Sequence, residues 1–124
     1  MKVVDSSPRF SRKELQCKHT GLCSMSSVFL DRLEALREEY GKPIRISSAF
    51  RDFSHPVEAR KASKSGYHTK GRAADLLVGY DGYRLLELAI KHGFRGIGCA
   101  FRGPVESRFL HVDDRDTEPA VWGY

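Results

Sequence analysis

Long apolar runs are the first feature that this sequence of 124 residues lacks. No segment approaches the roughly 18 consecutive apolar residues that a membrane-spanning helix requires. The first residues also carry no apolar stretch of signal-peptide length. We therefore expect a protein that is made in the cytoplasm, has no membrane partner, and leaves the cell only through lysis or a holin-like pore.

Cysteine is also scarce, and the three cysteines are Cys17, Cys23 and Cys99. Three thiols cannot all pair with one another, and without a secretion signal we expect them to be reduced. Cys17 and Cys23 flank His19, a grouping that could belong to a second metal site. The cluster lacks a fourth ligand and the standard C-x2-C spacing, so buried structural thiols are the simpler interpretation.

Dense blocks of a single charge are absent as well. Lys and Arg number 21 against 16 Asp and Glu, and the formal net charge of +5 favours anionic partners. Nucleic acid is one candidate, and an anionic cell wall is another. The basic residues are scattered along the chain, however, and no aromatic residues alternate with them. We therefore predict no nucleic-acid partner.

What the sequence does contain is a succession of helix and strand patterns. Apolar residues at helical spacing predict a helix at residues 27–40, which Ser26 caps and Gly41 ends. We predict further helices at residues 55–64 and 81–93, and strands at residues 44–50, 73–78, 96–101 and 108–113. Residues 1–25 are predicted to be an irregular arm with one short helical turn at residues 11–17, which Ser11 caps. This order predicts an α+β fold, a small antiparallel sheet with flanking helices, as a monomer with one domain over residues 1–124.

The most informative stretch is a polar loop that leads into an apolar strand. His68 lies in this loop, Gly71 follows it, and Asp75 stands within the strand between Ala74 and Leu76. An ionised carboxylate in such a strand is costly unless it is paired or bound to a metal. Glycine allows the chain to bend, so that His68 can return towards Asp75.

A second polar pair lies in the last predicted strand. Residues two apart in an extended strand share a face, so His111 and Asp113 point the same way while their neighbours pack inward. The imidazoles of His68 and His111, with the Asp75 carboxylate, would leave the fourth position of a tetrahedral zinc ion open, as in catalytic sites. The alternative is that the histidines are hydrogen-bonded structural residues and that Asp75 pairs with a nearby arginine.

The two motifs together resemble the signature of the M15 family of zinc D,D-peptidases. The first reads His68-x-x-Gly71-x-Ala73-x-Asp75, and the second reads His111-x-Asp113. Residues 10–17, 41–51 and 93–98 resemble further segments of that family, in particular of its short branch from bacteriophages and bacteria. The likeness extends over about residues 10–122 and implies the family's fold, which is related to that of hedgehog-type domains.

The resemblance implies a zinc ion held by His68, Asp75 and His111. The family's arginine corresponds to Arg51, which is expected to stabilise the scissile carbonyl as it becomes an oxyanion, because a guanidinium is always charged and offers several donors. The implied substrate is the stem peptide of peptidoglycan, which contains D-residues. The implied reaction is a D-Ala-D-Ala carboxypeptidase step or an endopeptidase step of the endolysin type.

The general base is where the sequence departs from the family. Many members have Glu, Asp or His three residues before the last ligand, and this chain has Arg108 there. We predict Asp113 as the base, since it shares a strand face with His111, and Glu106 is the second candidate. Asp113 could instead orient a ligand histidine as a hydrogen-bond acceptor. A further departure is Gly66, where members commonly have a serine.

Because of Arg108, a second function stays open: a non-catalytic zinc-site domain with a structural or binding role in a phage particle or complex. Hedgehog-type domains, which resemble this site, retain zinc without known hydrolysis. A basic nucleic-acid-binding domain is the third interpretation, and only the net charge favours it.

Overall fold

A five-stranded sheet organises the part of the chain that the computed structural model describes, residues 2–59 and 66–124. The helices are α1 (Arg12–Leu15), α2 (Ser27–Tyr40), α3 (Pro56–Ala59) and α4 (Gly82–Lys91). The strands are β1 (Val3–Val4), β2 (Met25–Ser26), β3 (Ile46–Ser48), β4 (Ala73–Leu77), β5 (Gly96–Ala100), β6 (Phe109–Asp113) and β7 (Ala120–Gly123). Helices and strands thus follow one another along the chain, and the predicted α+β class is confirmed.

The large sheet has the strand order β3-β4-β6-β5-β7. The neighbouring pairs β3–β4, β4–β6 and β6–β5 are antiparallel, as predicted. The last pair, β5–β7, is parallel. The sequence did not predict β7, because four residues are too few to show a clear period. It also did not predict the short β1–β2 pair, which ties the N-terminal arm to the start of α2. The arm is therefore not wholly irregular.

Helix α2 has its predicted bounds, and local chemistry explains both ends. The Ser26 hydroxyl accepts a hydrogen bond from the Phe29 N–H at 3.2 Å, which satisfies a free donor of the first turn. Gly41 ends the helix with a φ of 76°, a left-handed conformation that glycine adopts without a Cβ clash. The apolar side of the helix enters the same buried cluster as the inner face of the sheet, with Leu33 and Leu36 fully buried.

The central strands β4 and β6 carry different chemistry on their two faces. The residues that enter the apolar cluster are Ala74, Leu76, Leu110 and Val112. The residues that alternate with them include the polar Asp75, His111 and Asp113. Because successive side chains of a strand point to opposite faces, the polar group is separated from the core by the sheet itself.

One row of residues crosses the whole sheet through this polar face. The partners in register are Ser48 with Asp75, Asp75 with His111, His111 with Gly98, and Gly98 with Trp122. Directly opposed residues of antiparallel strands have Cβ atoms about 4.5–5.5 Å apart. Strand register, and not closeness in sequence, therefore brings Asp75 and His111 side by side.

The loop that carries His68 follows the helix predicted at residues 55–64. That helix begins at Pro56 as α3 and extends to Ala59, and the rest of the predicted span lies outside the described residues. Among the described helices, none has both the length and the apolar character needed to cross a membrane.

Candidate metal centre

A cavity of about 410 Å³ lies over the polar face of β4 and β6. Its lining includes the three predicted metal ligands, and His68, Asp75 and His111 are only 5%, 7% and 8% exposed. Polar side chains this deeply buried need partners. The contacts of each one therefore indicate what the site is built to hold.

The three side chains converge through one atom each. Nε2 of His68 lies 3.4 Å from Oδ1 of Asp75, and Nδ1 of His111 lies 3.0 Å from the same oxygen. All three ligand atoms lie within 4.8 Å of one another. Two imidazole nitrogens and one carboxylate oxygen are a donor set typical of zinc. The fold thus brings together the side chains that the two motifs single out.

The remaining ring nitrogen of each histidine has a hydrogen-bond acceptor that suits metal binding by the opposite nitrogen. Nδ1 of His68 lies 2.7 Å from the Ala49 carbonyl oxygen, which can only accept a hydrogen bond. Nε2 of His111 lies 2.7 Å from Oδ2 of Asp113. The Ala49 carbonyl thus keeps a proton on Nδ1 of His68, and Asp113 would keep one on Nε2 of His111 when an ion is bound, so that the opposite nitrogen of each ring would offer its lone pair to the ion. The residues present therefore fit a zinc ion.

Asp75 is held in its ionised form between the imidazoles and Arg51. Its Oδ2 accepts a hydrogen bond from Nη2 of Arg51 at 3.3 Å, which leaves Oδ1 directed towards the two histidines. Burial alone would raise the pKa of this carboxyl, but hydrogen bonds with His111 and His68 lower the pKa well below its usual range. Asp75 thus contributes a full negative charge at neutral pH.

Arg51 lines the same cavity and is fixed by three neighbours. Its Nε donates to the Ser48 hydroxyl at 3.0 Å, and its Nη1 donates to Oε2 of Glu58 at 3.0 Å, in addition to the bond with Asp75. A guanidinium has five N–H groups. These bonds anchor the side chain and leave other N–H groups for a ligand in the cavity, so pairing with Asp75 and a role in the cavity are compatible.

Gly71 sets the path of the loop that carries His68. Its φ is +68°, in the left-handed region that favours glycine. A Cβ at this position would overlap the backbone of Ser24 and Met25, which the loop approaches closely. The Gly71 carbonyl also accepts a hydrogen bond from the Ser26 N–H at 2.9 Å. The predicted bend at Gly71 is therefore confirmed, and the start of α2 supports it.

Asp113 lies behind His111, at the ring nitrogen that faces away from the other ligands. It is fully buried, contacts Nε2 of His111, and accepts two hydrogen bonds from the Arg115 side chain, at 2.9 and 2.7 Å. Burial would raise its pKa, but the bonds with Arg115 and His111 hold the pKa well below the usual range. These contacts are those of the alternative role, in which Asp113 orients the ligand histidine, and its role as general base stays a prediction.

Arg115, which the motifs did not single out, completes this arrangement. Its guanidinium carbon lies 5.3 Å from the ring centre of Tyr67 and 4.9 Å from that of Trp122, so the cation is held against two aromatic rings. Gly96 leaves the necessary room, since a Cβ there would collide with Asp113 and Arg115. The available signal was spacing, because Arg115 follows Asp113 by two positions and residues two apart in an extended chain share a face.

A family model described as Peptidase M15 matches residues 8–113 of the chain. The chain belongs to the peptidase M15 family. The matched segment contains His68, Asp75, His111 and Arg51, and the resemblance that the motifs indicated is confirmed. No curated protein matches the chain. Membership of the M15 family gives the chain a peptidase-type function.

The M15 family's usual place for a general base is filled differently in this chain. Among the described residues that line the cavity, Asp75 and Asp113 are the only carboxylates. Glu106 is exposed on a 3-10 turn, Val105–Ser107, and is not one of the lining residues. Arg108 donates to the Gly103 carbonyl at 3.0 Å. Residues 60–65 read Arg-Lys-Ala-Ser-Lys-Ser, so they contribute no acid. The three candidate metal ligands are thus together in the cavity, whereas the described lining contains no acid at the M15 family's usual position for a general base.

The cysteines near the N-terminus make contacts of a structural kind. Cys17 is buried, and its Sγ accepts a hydrogen bond from the Asp52 N–H at 3.4 Å. The thiol of Cys23 donates to the Asp5 carbonyl at 3.6 Å. Across residues 2–59 and 66–124, only one group of three or more His, Cys, Asp and Glu side chains could share an ion: His68, Asp75 and His111.

Proposed function

We propose that this chain is a zinc-dependent peptidase that hydrolyses the stem peptides of peptidoglycan. The observation that carries the proposal is the buried group of His68, Asp75 and His111 in a chain of the M15 family. The substrate class follows from the family resemblance, and a net charge of +5 suits an anionic wall. In this proposal the protein acts as a monomer and reaches the wall after release from the cell that makes it.

Three protein atoms would hold the zinc ion: Nε2 of His68, Oδ1 of Asp75 and Nδ1 of His111. A bound zinc ion supplies Lewis-acid chemistry, since it lowers the pKa of water and polarises a carbonyl group. The Ala49 carbonyl and Asp113 hold the two rings in place, each at 2.7 Å from a ring nitrogen. Ligands that are oriented before the ion arrives need little rearrangement to bind it.

Arg51 binds and orients the substrate carbonyl in this proposal. Its guanidinium is anchored by Ser48, Glu58 and Asp75 and lines the cavity beside the ligand residues. A positive charge that is already in position stabilises the negative charge that develops on the carbonyl oxygen without reorganisation. Loss of one such donor typically lowers kcat by about 10²–10³-fold.

A second candidate function is a zinc-site domain that binds a wall peptide without hydrolysing it. The contacts of Asp113 with His111 and Arg115 favour this candidate, because they occupy the carboxylate. The exposure of Glu106 outside the cavity favours it too. In both cases the ion and Arg51 bind the peptide, and the two candidates differ only in whether a proton acceptor completes the site.

Zinc-loaded protein incubated with purified peptidoglycan separates the two candidates. The peptidase should release new amino groups, and mass spectrometry of the products should identify either free D-alanine or opened cross-links. His68→Ala should abolish zinc binding and turnover, whereas His19→Ala, at an exposed histidine outside the cavity, should retain both. Zinc binding without release of amino groups from any wall preparation would contradict the peptidase and favour the binding domain.

A further inference from the structure

A second cavity, of about 500 Å³, is strongly basic and shares no residue with the metal-centre cavity. It is lined by α1 and its flanks, by Arg37 of α2, and by the chain that enters β3. Among the described residues that line it, only Glu14 is acidic, whereas five are cationic: Arg9, Lys13, Lys18, Arg37 and Arg45. We call this cavity the basic groove. Cations that are scattered in the sequence are thus gathered by the fold.

Two of these cations have contacts within the fold. Nη1 of Arg9 forms an ion pair with Oε1 of Glu34 at 3.0 Å. Nζ of Lys18 donates to the backbone carbonyls of Lys13 and Glu14, at 3.2 Å in each case, at the end of α1. Carbonyl oxygens orient the Lys18 ammonium but do not neutralise its charge.

The other three cations of the basic groove lack a counterion within the described part of the chain. Lys13 and Arg45 are exposed, Arg37 is half-buried, and none of the three forms an ion pair with a described carboxylate. Like charges that are held together repel one another and destabilise the folded state. An anion with several negative charges would relieve this repulsion, so the grouping indicates a polyanionic ligand.

The chemistry of the groove discriminates between polyanions. Its described lining contains no aromatic ring, and its apolar residues are Pro43, Ile44 and Ile46. Proteins that bind single-stranded nucleic acid combine cations with aromatic side chains on which the bases stack. The basic groove offers charge for a backbone of phosphates and no surface for stacked bases. It therefore favours a phosphodiester backbone over stacked single-stranded bases, and a polymer of the bacterial wall is the phosphodiester backbone that fits the proposed function.

We propose that the basic groove binds a linear phosphodiester polymer of the bacterial wall. This proposal rests on the proposed function, because such a polymer would place the peptidase on its substrate. Arg45 of the groove directly precedes β3, and Arg51 of the metal centre lies three residues beyond its end, so the two are six residues apart. A fully extended chain of that length spans at most about 20 Å. A polymer bound in the groove therefore keeps the metal centre within reach of neighbouring wall peptides.

Binding of poly(glycerol phosphate) to the full chain tests this proposal, by calorimetry at several salt concentrations. The groove variant carries Lys13→Gln, Arg37→Gln and Arg45→Gln. The control variant carries Arg84→Gln, Lys91→Gln and Arg102→Gln, three exposed cations outside both the groove and the metal-centre cavity. Both variants lose the same formal charge, so a difference between them reports on position.

We expect the groove variant to bind the polymer roughly tenfold more weakly or worse, and the control variant to change less than about threefold. The salt dependence should also become shallower in the groove variant alone, by about two units of the slope of log K against log salt. An equal loss in both variants would overturn the proposal, because net charge alone would then explain binding. Absence of polymer binding by the wild-type chain at low salt would overturn it as well.

The same measurement with an oligonucleotide of matched charge provides a further test. Tighter binding of the oligonucleotide than of poly(glycerol phosphate), with loss in the groove variant, would assign the groove to nucleic acid and overturn the wall polymer. Hydrolysis of a small soluble stem peptide should be unchanged in the groove variant. Because polymer binding is measured without turnover, a chain that binds the polymer but cleaves no peptide would refute only the proposed peptidase.

Discussion

The two sides of the metal-centre cavity differ in how firmly the fold builds them. On the ligand side, three buried side chains each have a further hydrogen-bond partner that fixes their orientation. On the base side, where a proton acceptor is expected, Glu106 is exposed on a 3-10 turn and Arg108 stands where many M15 members have an acid or histidine. In this chain the side chains that could hold an ion are fixed by the fold, whereas the candidate acid Glu106 is not held in the cavity.

Backbone geometry accounts for the difference. Asp75 and His111 are opposed residues of β4 and β6, so the hydrogen bonds of the sheet fix their separation. Glu106 belongs to a 3-10 turn of three residues within the connection, residues 101–108, between β5 and β6. The hydrogen bonds of the sheet do not fix a side chain on such a turn, and Glu106 is exposed and does not line the cavity.

The largest effect should come from removing a ligand. His111→Ala eliminates Nδ1 and also leaves the Asp113 carboxylate without its imidazole partner. We expect zinc affinity, measured by competition with a chelator, to fall by more than about 100-fold, beyond the range typical of partners that only orient a ligand. His92→Ala is the control, since His92 pairs with Glu39 at the end of α4. A loss below tenfold in His111→Ala would contradict the ligand side as described.

Asp113→Asn tests whether this residue belongs to the ligand side or to the base side. If it orients His111, zinc affinity should fall by about 10- to 100-fold, because the amide is a weaker acceptor and the Arg115 charge loses its partner. A variant that binds zinc with unchanged affinity but loses more than about 100-fold in turnover would make Asp113 the base. That result would mean that the base side of the cavity has a fixed proton acceptor, as the ligand side has fixed ligands.

Gly96→Ala tests the space that β5 leaves for the Asp113–Arg115 pair. The added Cβ would collide with both side chains, so we expect a loss of about 1–3 kcal/mol in the free energy of unfolding, measured with urea. Gly123→Ala is the matched control in β7, where a Cβ would meet nothing within 4 Å, and it should change stability by less than about 0.5 kcal/mol. Equal effects in both variants would mean that the pair has room to shift.

Glu106→Gln should have the smallest effect. Because Glu106 is exposed and does not line the cavity, we expect zinc affinity and kcat on a wall peptide to change by less than about twofold. A fall of more than about tenfold in kcat with zinc retained would place a working proton acceptor on the turn. Glu106 would then be the proton acceptor of the site in solution.

Local sequence signals predicted the elements that their own residues determine. The bounds of α2 follow from Ser26 and Gly41, and β4 and β6 differ from their predicted spans, residues 73–78 and 108–113, by one residue each. Strands β1, β2 and β7 have two to four residues and exist because a partner strand lies beside them. Pairing of this kind depends on tertiary contacts, which a short sequence window does not contain.

In the candidate site, too, the sequence predicted some features, whereas others depend on tertiary contacts. Spacing and family resemblance singled out His68, Asp75 and His111, and strand alternation placed Asp113 on the face of His111. Which ring nitrogen faces Asp113 depends on the side-chain rotamer, on Arg115 and on the room that Gly96 leaves. The sequence could therefore indicate that Asp113 is near the site, but not that it lies on the far side of the ligand.

Zinc K-edge X-ray absorption of the purified protein determines whether His68, Asp75 and His111 hold a zinc ion. We expect about one zinc per chain with nitrogen and oxygen ligands only, at about 2.0–2.2 Å. A sulfur shell at about 2.3 Å would contradict this expectation, because Cys17 or Cys23 would then be ligands in place of the β4–β6 site. Failure to bind zinc at all would contradict it equally.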